Sequence, residues 1–352
     1  MASRKKKRGQ GNWFKQNAKL IILNIVLIAC AIIMGFALFN HFSLNRVVLT
    51  VNNHEFSKAD YMIYLYSVKL DRFGPGNTNL NSATLESIMP DTELTVEQAL
   101  KDQTLTELKT AAIIKRIAHE HNVVLSDDNR LALVAEKDKF IASLGGRREF
   151  SRMLRDNRTT EAAYDRMAET DKLFRLTVQE LYGEGSGNDL TADERRQARD
   201  YFHREYVRLR QIVISKFDED FNQLLPRPER EGRRALIYRI RTEINNDNFD
   251  ELIELYSDVK PSDSAPYDLY YKTVNVIEEV REGIKEVDIG GISDVIETNQ
   301  AFYIVQKLPL EDTQLEEIYD TKRQEKLLIR ISRLLREVNV TYHNAFSSLR
   351  IR

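Results

Sequence analysis

Few side chains in this sequence have the type and spacing that catalysis, metal binding or phosphate binding requires. The triplet His119-Glu120-His121 lacks the four-residue spacing that places two histidines on one helix face, so it does not predict a zinc site. Residues 183–187 (GEGSG) have no following Lys-Ser or Lys-Thr and no preceding strand, so they predict a linker. Cys30 is the only cysteine, which excludes disulfides and a thiol nucleophile elsewhere. We predict no metal and no cofactor.

A polar residue inside an apolar strand is the more informative signal. Residues 207–217 (VRLRQIVISKF) contain alternating apolar residues, several of them β-branched. This pattern predicts a buried strand. Gln211 lies at its centre. A buried amide needs hydrogen-bond partners, so Gln211 is either a satisfied core residue or part of a site. We favour the first interpretation and keep the second open.

The charge distribution excludes one class of partner. Residues 1–19 carry seven basic residues and no acidic one, so the remaining chain has 45 basic and 54 acidic residues. Phosphate binding needs a basic surface on the folded part. We therefore expect no nucleic-acid partner.

Residues 20–39 (LIILNIVLIACAIIMGFALF) predict a membrane anchor. Twenty apolar residues in a helix span about 30 Å, the thickness of the hydrocarbon core of a bilayer. The basic flank precedes the span, so the N-terminus is expected in the cytoplasm and the body outside the cytoplasmic membrane. Residues 27–30 also fit a lipoprotein cleavage site at Cys30, but further apolar residues follow it. We favour an uncleaved single-pass anchor.

The region after the anchor is predicted to be mainly helical. Residues 47–53 indicate a strand, and Ser57 is expected to cap the helix that follows. Capping boxes begin further helices at Thr95-Val96-Glu97-Gln98 and Thr191-Ala192-Asp193-Glu194, and Ser126 caps another. No catalytic cluster is evident here.

The rest of the chain predicts a small α+β domain followed by a long helix. The expected order is a strand, two helices, a strand or loop, a helix, and two strands at residues 292–297 and 301–308. The helix over residues 311–337 is charged and amphipathic. Its apolar positions, which include Leu315, Leu327 and Ile331, predict that it packs back on the first domain.

Three stretches together resemble a known family. They are VVLTVNNHEFSKADYMIYL (residues 47–65), NFDELIELYSD (residues 248–258) followed by DLYY, and GGISDVIETNQAFYIVQKL (residues 290–308). They resemble the chaperone-domain opening, the central helix and turn, and the closing hairpin of membrane-anchored parvulin-type peptidyl-prolyl isomerases and foldases of the SurA, PrsA and PpiD type.

The resemblance implies an α+β fold class: a helical SurA-like chaperone domain and a parvulin-like α+β domain, behind an N-terminal transmembrane helix. The implied domains are a cytoplasmic tail (1–19), the anchor (20–39), the chaperone domain (46–190), the parvulin-like domain (200–310) and a C-terminal helix that packs back on the chaperone domain (311–352).

The implied site is altered at its polar positions. The catalytic positions that the resemblance implies are Gln211 and Tyr303, where the two active-site histidines of the family fall, and Asp268, where its Asp-Leu-Gly turn falls. The positions that would line the proline pocket are apolar: Val259, Val276, Ile277 and Val280. Neither an amide nor a phenol changes charge near neutral pH as imidazole does. Gln211 and Tyr303 are still able to hydrogen-bond to each other, as the histidines would, and we expect isomerase turnover to be weak or absent.

The resemblance implies an extracytoplasmic foldase that binds unfolded or nascent exported polypeptides, with a homodimer as one possible state. Two alternatives stay open. One is a fully active parvulin-type isomerase, and the other is a non-enzymatic adaptor that binds one folded partner in the cell envelope.

Overall fold

A computed structural model describes residues 42–90, 92–218, 223–260 and 268–349. The described residues form two compact units. The first unit contains residues 42–181 together with 326–349, and the second contains residues 182–325. The fold is a helix-rich mixture of α and β structure.

The elements are numbered along the chain. The helices of at least five residues are α1 (Lys58–Phe73), α2 (Ser82–Glu86), α3 (Val96–Glu120), α4 (Asp127–Ser143), α5 (Arg147–Asp156), α6 (Glu161–Tyr182), α7 (Ala192–Glu205), α8 (Arg227–Glu243), α9 (Phe249–Tyr256), α10 (Glu278–Gly283) and α11 (Asp312–Leu334). The strands are β1 (Val47–Val51), β2 (His54–Ser57), β3 (Tyr206–Ser215), β4 (Leu269–Lys272), β5 (Ile296–Glu297), β6 (Ala301–Leu308) and β7 (Val340–Tyr342).

The helix starts predicted from capping residues are confirmed by the hydrogen bonds of those residues. Ser57, Thr95 and Thr191 each form a complete capping box, in which the hydroxyl accepts from the N3 amide and the N3 side chain accepts from the cap amide. Ser126 caps α4 through its hydroxyl. Helix α4 ends before Gly145, whose φ of 93° is one that glycine adopts without strain.

The first unit is built around a three-stranded sheet in the order β2-β1-β7. Strand β1 pairs with β2 through the turn at Asn52, and α1 and α3 pack against these strands in one apolar core. Tyr61 and Tyr64 of α1 are buried in that core, as expected if the tyrosines of this helix serve packing. Burial raises the pKa of both phenols, which stay neutral.

The third strand of this sheet comes from the end of the chain. Strand β7 pairs with β1 in antiparallel register, with Val340 opposite Val51 and Tyr342 opposite Leu49. Phe346 packs edge-on against the Tyr61 ring, with 5.9 Å between ring centroids. The first unit therefore needs the C-terminal residues to complete both its sheet and its core.

The second unit is built around a four-stranded antiparallel sheet in the order β4-β3-β6-β5. Helices α8 and α9 cover one face, where Ile212 and Ile304 are fully buried. Helix α10 covers the other face. Strand β5 has only two residues, shorter than the predicted strand at 292–297, because Ser293 instead bonds to the backbone of Val305 through its amide and its hydroxyl.

Helix α11 contributes to both units, which differs from the expected packing on the first domain alone. Leu315 and Tyr319, in its first half, pack with Ala198 and Phe202 of α7 in the second unit. Residues from 326 onward belong to the first unit, where Arg330 contacts His121 at the end of α3. The first half of this 23-residue helix thus makes apolar contacts in the second unit, and its later residues contact the first unit.

Within residues 42–349, the helices that the structure describes include none long and apolar enough to cross a bilayer. The predicted tail, the anchor at residues 20–39 and Cys30 lie outside the described residues.

Replacing Phe346 with alanine tests the role of the C-terminal segment. We expect Phe346→Ala to lower the free energy of unfolding of the first unit by roughly 2 kcal/mol, because a half-buried ring loses its contacts with Tyr61 and Tyr342. Hydrogen exchange of the β1 amides in the full chain measures this loss. Phe42→Ala is the matched control, since the Phe42 ring is 69% exposed. Equal effects of the two substitutions would contradict the assignment.

Candidate functional site

The site predicted from sequence lies on strand β3, whose side chains alternate between the two faces of the sheet. In the β3–β6 register Gln211 is opposite Val305, and Val213 is opposite Tyr303. Residues directly opposite each other share a face, so Gln211 and Tyr303 lie on the same face. This is the face that α10 covers.

Gln211 lies beside a residue that the sequence analysis did not single out. Tyr271 is on β4, the other neighbour of β3, and the nearby Gln211 side chain lowers the pKa of its phenol, against the larger effect of burial. The described residues include no direct hydrogen bond between Gln211 and Tyr303, so the structure does not show the bond that the sequence allows.

Tyr271 reaches this face because of the β3–β4 register. Val207 is opposite Tyr271 and Leu209 is opposite Leu269, so Tyr271 shares the face of Gln211. Its half-buried ring packs against the apolar cluster that includes Tyr303. Sequence gave little signal for this contact, because the four-residue strand β4 follows an irregular stretch and was expected as a strand or a loop.

Both phenols on this face stay neutral well above neutral pH. Burial raises the pKa of Tyr303, and the charge of Glu279 adds to the effect. Burial also raises the pKa of Tyr271, although the nearby Gln211 side chain opposes the rise. The face thus presents hydroxyl and amide groups but no group that changes charge near neutral pH.

Asp268 lies with the opposite face and does not join Gln211 and Tyr303. Its carboxylate accepts from Arg208, and its Oδ1 lies 2.7 Å from Nη2 of Arg210. Arg210 also pairs with Asp250 of α9 at 3.0 Å. Both carboxylate oxygens are therefore engaged by arginines, and the arrangement supports a structural role in place of the catalytic role predicted for Asp268.

The residues predicted to line a proline pocket divide into buried and exposed members. Val276 and Val280 are buried in one cluster with Tyr303. Ile277 and Val259 remain 45% and 49% exposed. The structure thus brings Val276 and Val280 against the predicted site, whereas Ile277 and Val259 face solvent.

A close glycine contact sets the position of α10. A Cβ on Gly283 would lie 2.5 Å from Cδ1 of Ile296 on β5, so a larger residue here would require the Ile296 side chain to shift. At this point α10, which carries Val280, approaches β5 closely. Near Val259, the hydroxyl of Ser257 accepts from the Val213 amide at 3.1 Å, which attaches the end of α9 to β3.

Comparison with known families assigns the first part of the chain. A family model described as the SurA-like N-terminal domain matches residues 12–177. The chain carries a SurA-like domain. This domain contains helices α1 to α5 and most of α6, and the altered site lies outside it. No curated protein matches the chain.

Solved structures that align with this chain belong to foldases and chaperones. The foldase protein PrsA from Streptococcus pneumoniae is 18% identical, covers 74% of this chain and 97% of its own, and has a TM-score of 0.40. PrsA from Bacillus subtilis is 12% identical, with coverages of 72% and 91% and a TM-score of 0.34. A structure from a study of SurA-like chaperones of Campylobacter jejuni is 11% identical, with coverages of 85% and 100% and a TM-score of 0.28.

Removing the charge of Asp268 separates a structural role from a catalytic one. We expect Asp268→Asn to lower the free energy of unfolding of the second unit by about 2–4 kcal/mol, because it leaves two partly buried arginines without their shared carboxylate. Denaturant unfolding of the full chain measures the change. The control is Asp294→Asn, at a carboxylate that is almost fully exposed. A stable variant that had lost only peptide-directed activity would contradict the structural assignment.

The raised pKa of Tyr303 predicts an alkaline loss of stability. A phenol whose pKa is higher in the folded state contributes stability below its unfolded pKa of about 10, and this is lost as pH rises through the folded value. Denaturant unfolding between about pH 8 and about pH 11 should therefore show a shallower alkaline decline for Tyr303→Phe than for the native chain. Parallel declines would show that Tyr303 does not contribute.

Proposed function

We propose that this chain is a foldase anchored in the cytoplasmic membrane, with its body outside the cell membrane. It holds unfolded or nascent exported polypeptides, and its second unit is a parvulin-like domain with little or no isomerase turnover. The SurA-like domain is the observation that carries the proposal. The apolar segment at residues 20–39, flanked by basic residues, supports the anchor and its orientation.

An incompletely covered helix in the SurA-like domain supports the holding function. Helix α4 buries only Ile141, although its first half contains several apolar residues. Val134 is 51% exposed and lines a cavity of about 230 Å³ between α4 and α6. Lys137, which also lines this cavity, bonds Glu161 and Asp165 across the two helices. Apolar side chains of an unfolded client fit such a surface.

The architecture of the second unit supports the parvulin-like assignment. A strand, two helices, a short strand, a helix and two strands follow one another, and the sheet order is β4-β3-β6-β5. This is the order of elements that the family resemblance implies. The site of that family would lie on the face with Gln211 and Tyr303.

The chemistry of that face supports weak turnover. Rotation about an X–Pro bond must overcome about 18–20 kcal/mol of amide resonance, and an enzyme accelerates it only by binding the twisted amide better than the planar one. The second unit has one histidine, His203, on α7 and not on this face. Tyr303 is buried, and Val276 and Val280 pack into the core beside it.

Aggregation assays with the full chain in detergent micelles test the holding function. We expect the chain to suppress aggregation of a chemically unfolded client, and Val134→Asp to weaken this several-fold, because a charge in the cavity opposes apolar contacts. Leu131→Asp is the matched control, because Leu131 is exposed on the same helix but does not line the cavity. No suppression at stoichiometric amounts would contradict the proposal.

A proline-isomerisation assay on the same preparation tests the proposal that the second unit has little or no isomerase turnover. We expect a rate close to the uncatalysed one. A rate typical of active parvulins that falls on Tyr303→Phe would overturn the assignment of weak turnover and favour the active isomerase. One tight folded partner, recovered without binding to unfolded chains, would favour the adaptor.

A further inference from the structure

Three side chains that can carry positive charge lie together in the first unit, where β2 meets α3. They are His54 of β2 and Lys115 and His119 of α3. Lys115 and His119 are four residues apart, so they lie on one face of the helix. The proposed function uses none of the three.

A contact between Lys115 and Phe56 fixes this arrangement. The Lys115 ammonium lies over the Phe56 ring, 5.6 Å from its centroid. His54 and Phe56 are two residues apart on β2, so both side chains project from the same face of the strand. His54 is therefore on the side of Lys115. Burial lowers the pKa of His54, and the charges of Lys115 and His119 lower it further.

The Lys115 ammonium has no anionic partner in contact. It is half-buried, and within the described residues it forms no hydrogen bond and no ion pair. The two carboxylates that act on it from a distance are engaged elsewhere, since Asp60 pairs with Arg166 at 2.8 Å and Glu169 with Arg130 at 3.5 Å. Removing a charge from water without a partner costs free energy, which a bound anion would recover.

The acidic residues next to the two histidines in sequence do not neutralise the cluster. Glu55 follows His54 and projects from the opposite face of β2, where it is exposed. Glu120 follows His119 and lies 3.5 Å from Arg116. An anion from solvent is thus the group that matches these three side chains.

A phosphate group suits three donors arranged in this way. An ammonium and two imidazolium groups donate hydrogen bonds and accept none. Phosphate presents several strong acceptor oxygens around one centre, and charge-assisted hydrogen bonds are roughly twice as strong as neutral ones. A carboxylate has only two oxygens, fewer than the donor groups here. A metal cation is disfavoured because the charge of Lys115 repels it.

We propose that His54, Lys115 and His119 form a binding site for phosphate groups in the SurA-like domain. The ligand is a phosphate group, either free in solution or carried on a lipid headgroup. The site goes beyond the proposed function, because neither the cavity between α4 and α6 nor the sheet of the second unit takes part in it.

Phosphate binding at this site weakens as pH rises. Only a protonated imidazole carries charge and donates from both ring nitrogens. A bound anion favours that form, so it raises the pKa of His54, which is lowered in the free protein. By linkage, the affinity is higher where His54 and His119 are protonated than where they are neutral.

Histidine resonances of the full chain in neutral detergent micelles test the site. In a chain with ¹³C-labelled histidine, inorganic phosphate should shift the Cε1 resonances of His54 and His119 and raise the pKa of His54. His203 on α7 and His343 after β7 are internal controls, whose resonances should not move. Sulfate, whose charge is constant over this range, should bind more weakly at about pH 8 than at about pH 6. Equal shifts of all four histidines, or no shift, would overturn the proposal.

Replacing Lys115 with methionine tests its charge apart from its packing. Lys115→Met keeps an apolar side chain over Phe56 but removes the ammonium, so phosphate affinity should fall about tenfold, as loss of a charge-assisted hydrogen bond predicts. Lys109→Met is the matched control, at a half-buried lysine on a different face of α3. Equal losses in the two variants would refute the site. Thermal unfolding shows whether each variant is folded, and the histidine shifts of the native chain decide the question if Lys115→Met is not.

Two membrane preparations distinguish the sources of the phosphate group. The full chain is placed in nanodiscs of phosphatidylglycerol or of phosphatidylcholine, without added phosphate. Shifts of His54 and His119 in the first preparation only would assign the ligand to an anionic lipid headgroup, whereas a response to inorganic phosphate alone would assign it to free phosphate. A chain that responds to neither but suppresses aggregation would refute the site and retain the holding function.

Discussion

The pairing of β3 with β6 is the constraint on which the second unit depends. Eight residue pairs, from Arg208–Leu308 to Ser215–Ala301, are in continuous antiparallel register. Because side chains alternate along a strand, a slip of one residue would move Gln211 to the face of α8 and α9 and bring Arg210 to the face of α10. Only this register buries the isoleucines on the face of α8 and α9. It also places the mixed polar and apolar residues on the face of α10.

This register places different kinds of residue on the two faces of the sheet. One face joins β3 to α8 and α9 through apolar contacts and anchors its charged end through Asp268. The other face contains the phenols of Tyr271 and Tyr303 with the amide of Gln211. The carboxylate of Asp268, held by two arginines, is a satisfied polar group.

Local hydrogen bonds were predictable from sequence, whereas long-range pairings were not. The helix starts at Ser57, Thr95 and Thr191 depend on groups three residues apart, so the sequence contains all the information for them. The shared face of Gln211 and Tyr303 followed from two recognisable strands. The presence of Tyr271 on this face could not be predicted, because it lies on β4, a short strand with no alternating pattern. The position of Asp268 likewise depends on which arginines of β3 face it.

The addition of β7 to the first sheet has a consequence for the order in which the protein matures. Thr50 of β1 bonds to His343, a residue 293 positions later in the chain. While the ribosome is still making the second unit, β1 has an unpaired edge, and the core around Tyr61 lacks Phe346. Contacts this distant along the chain form slowly and late. The unit whose synthesis begins first is therefore completed only after residues 340–346 have emerged.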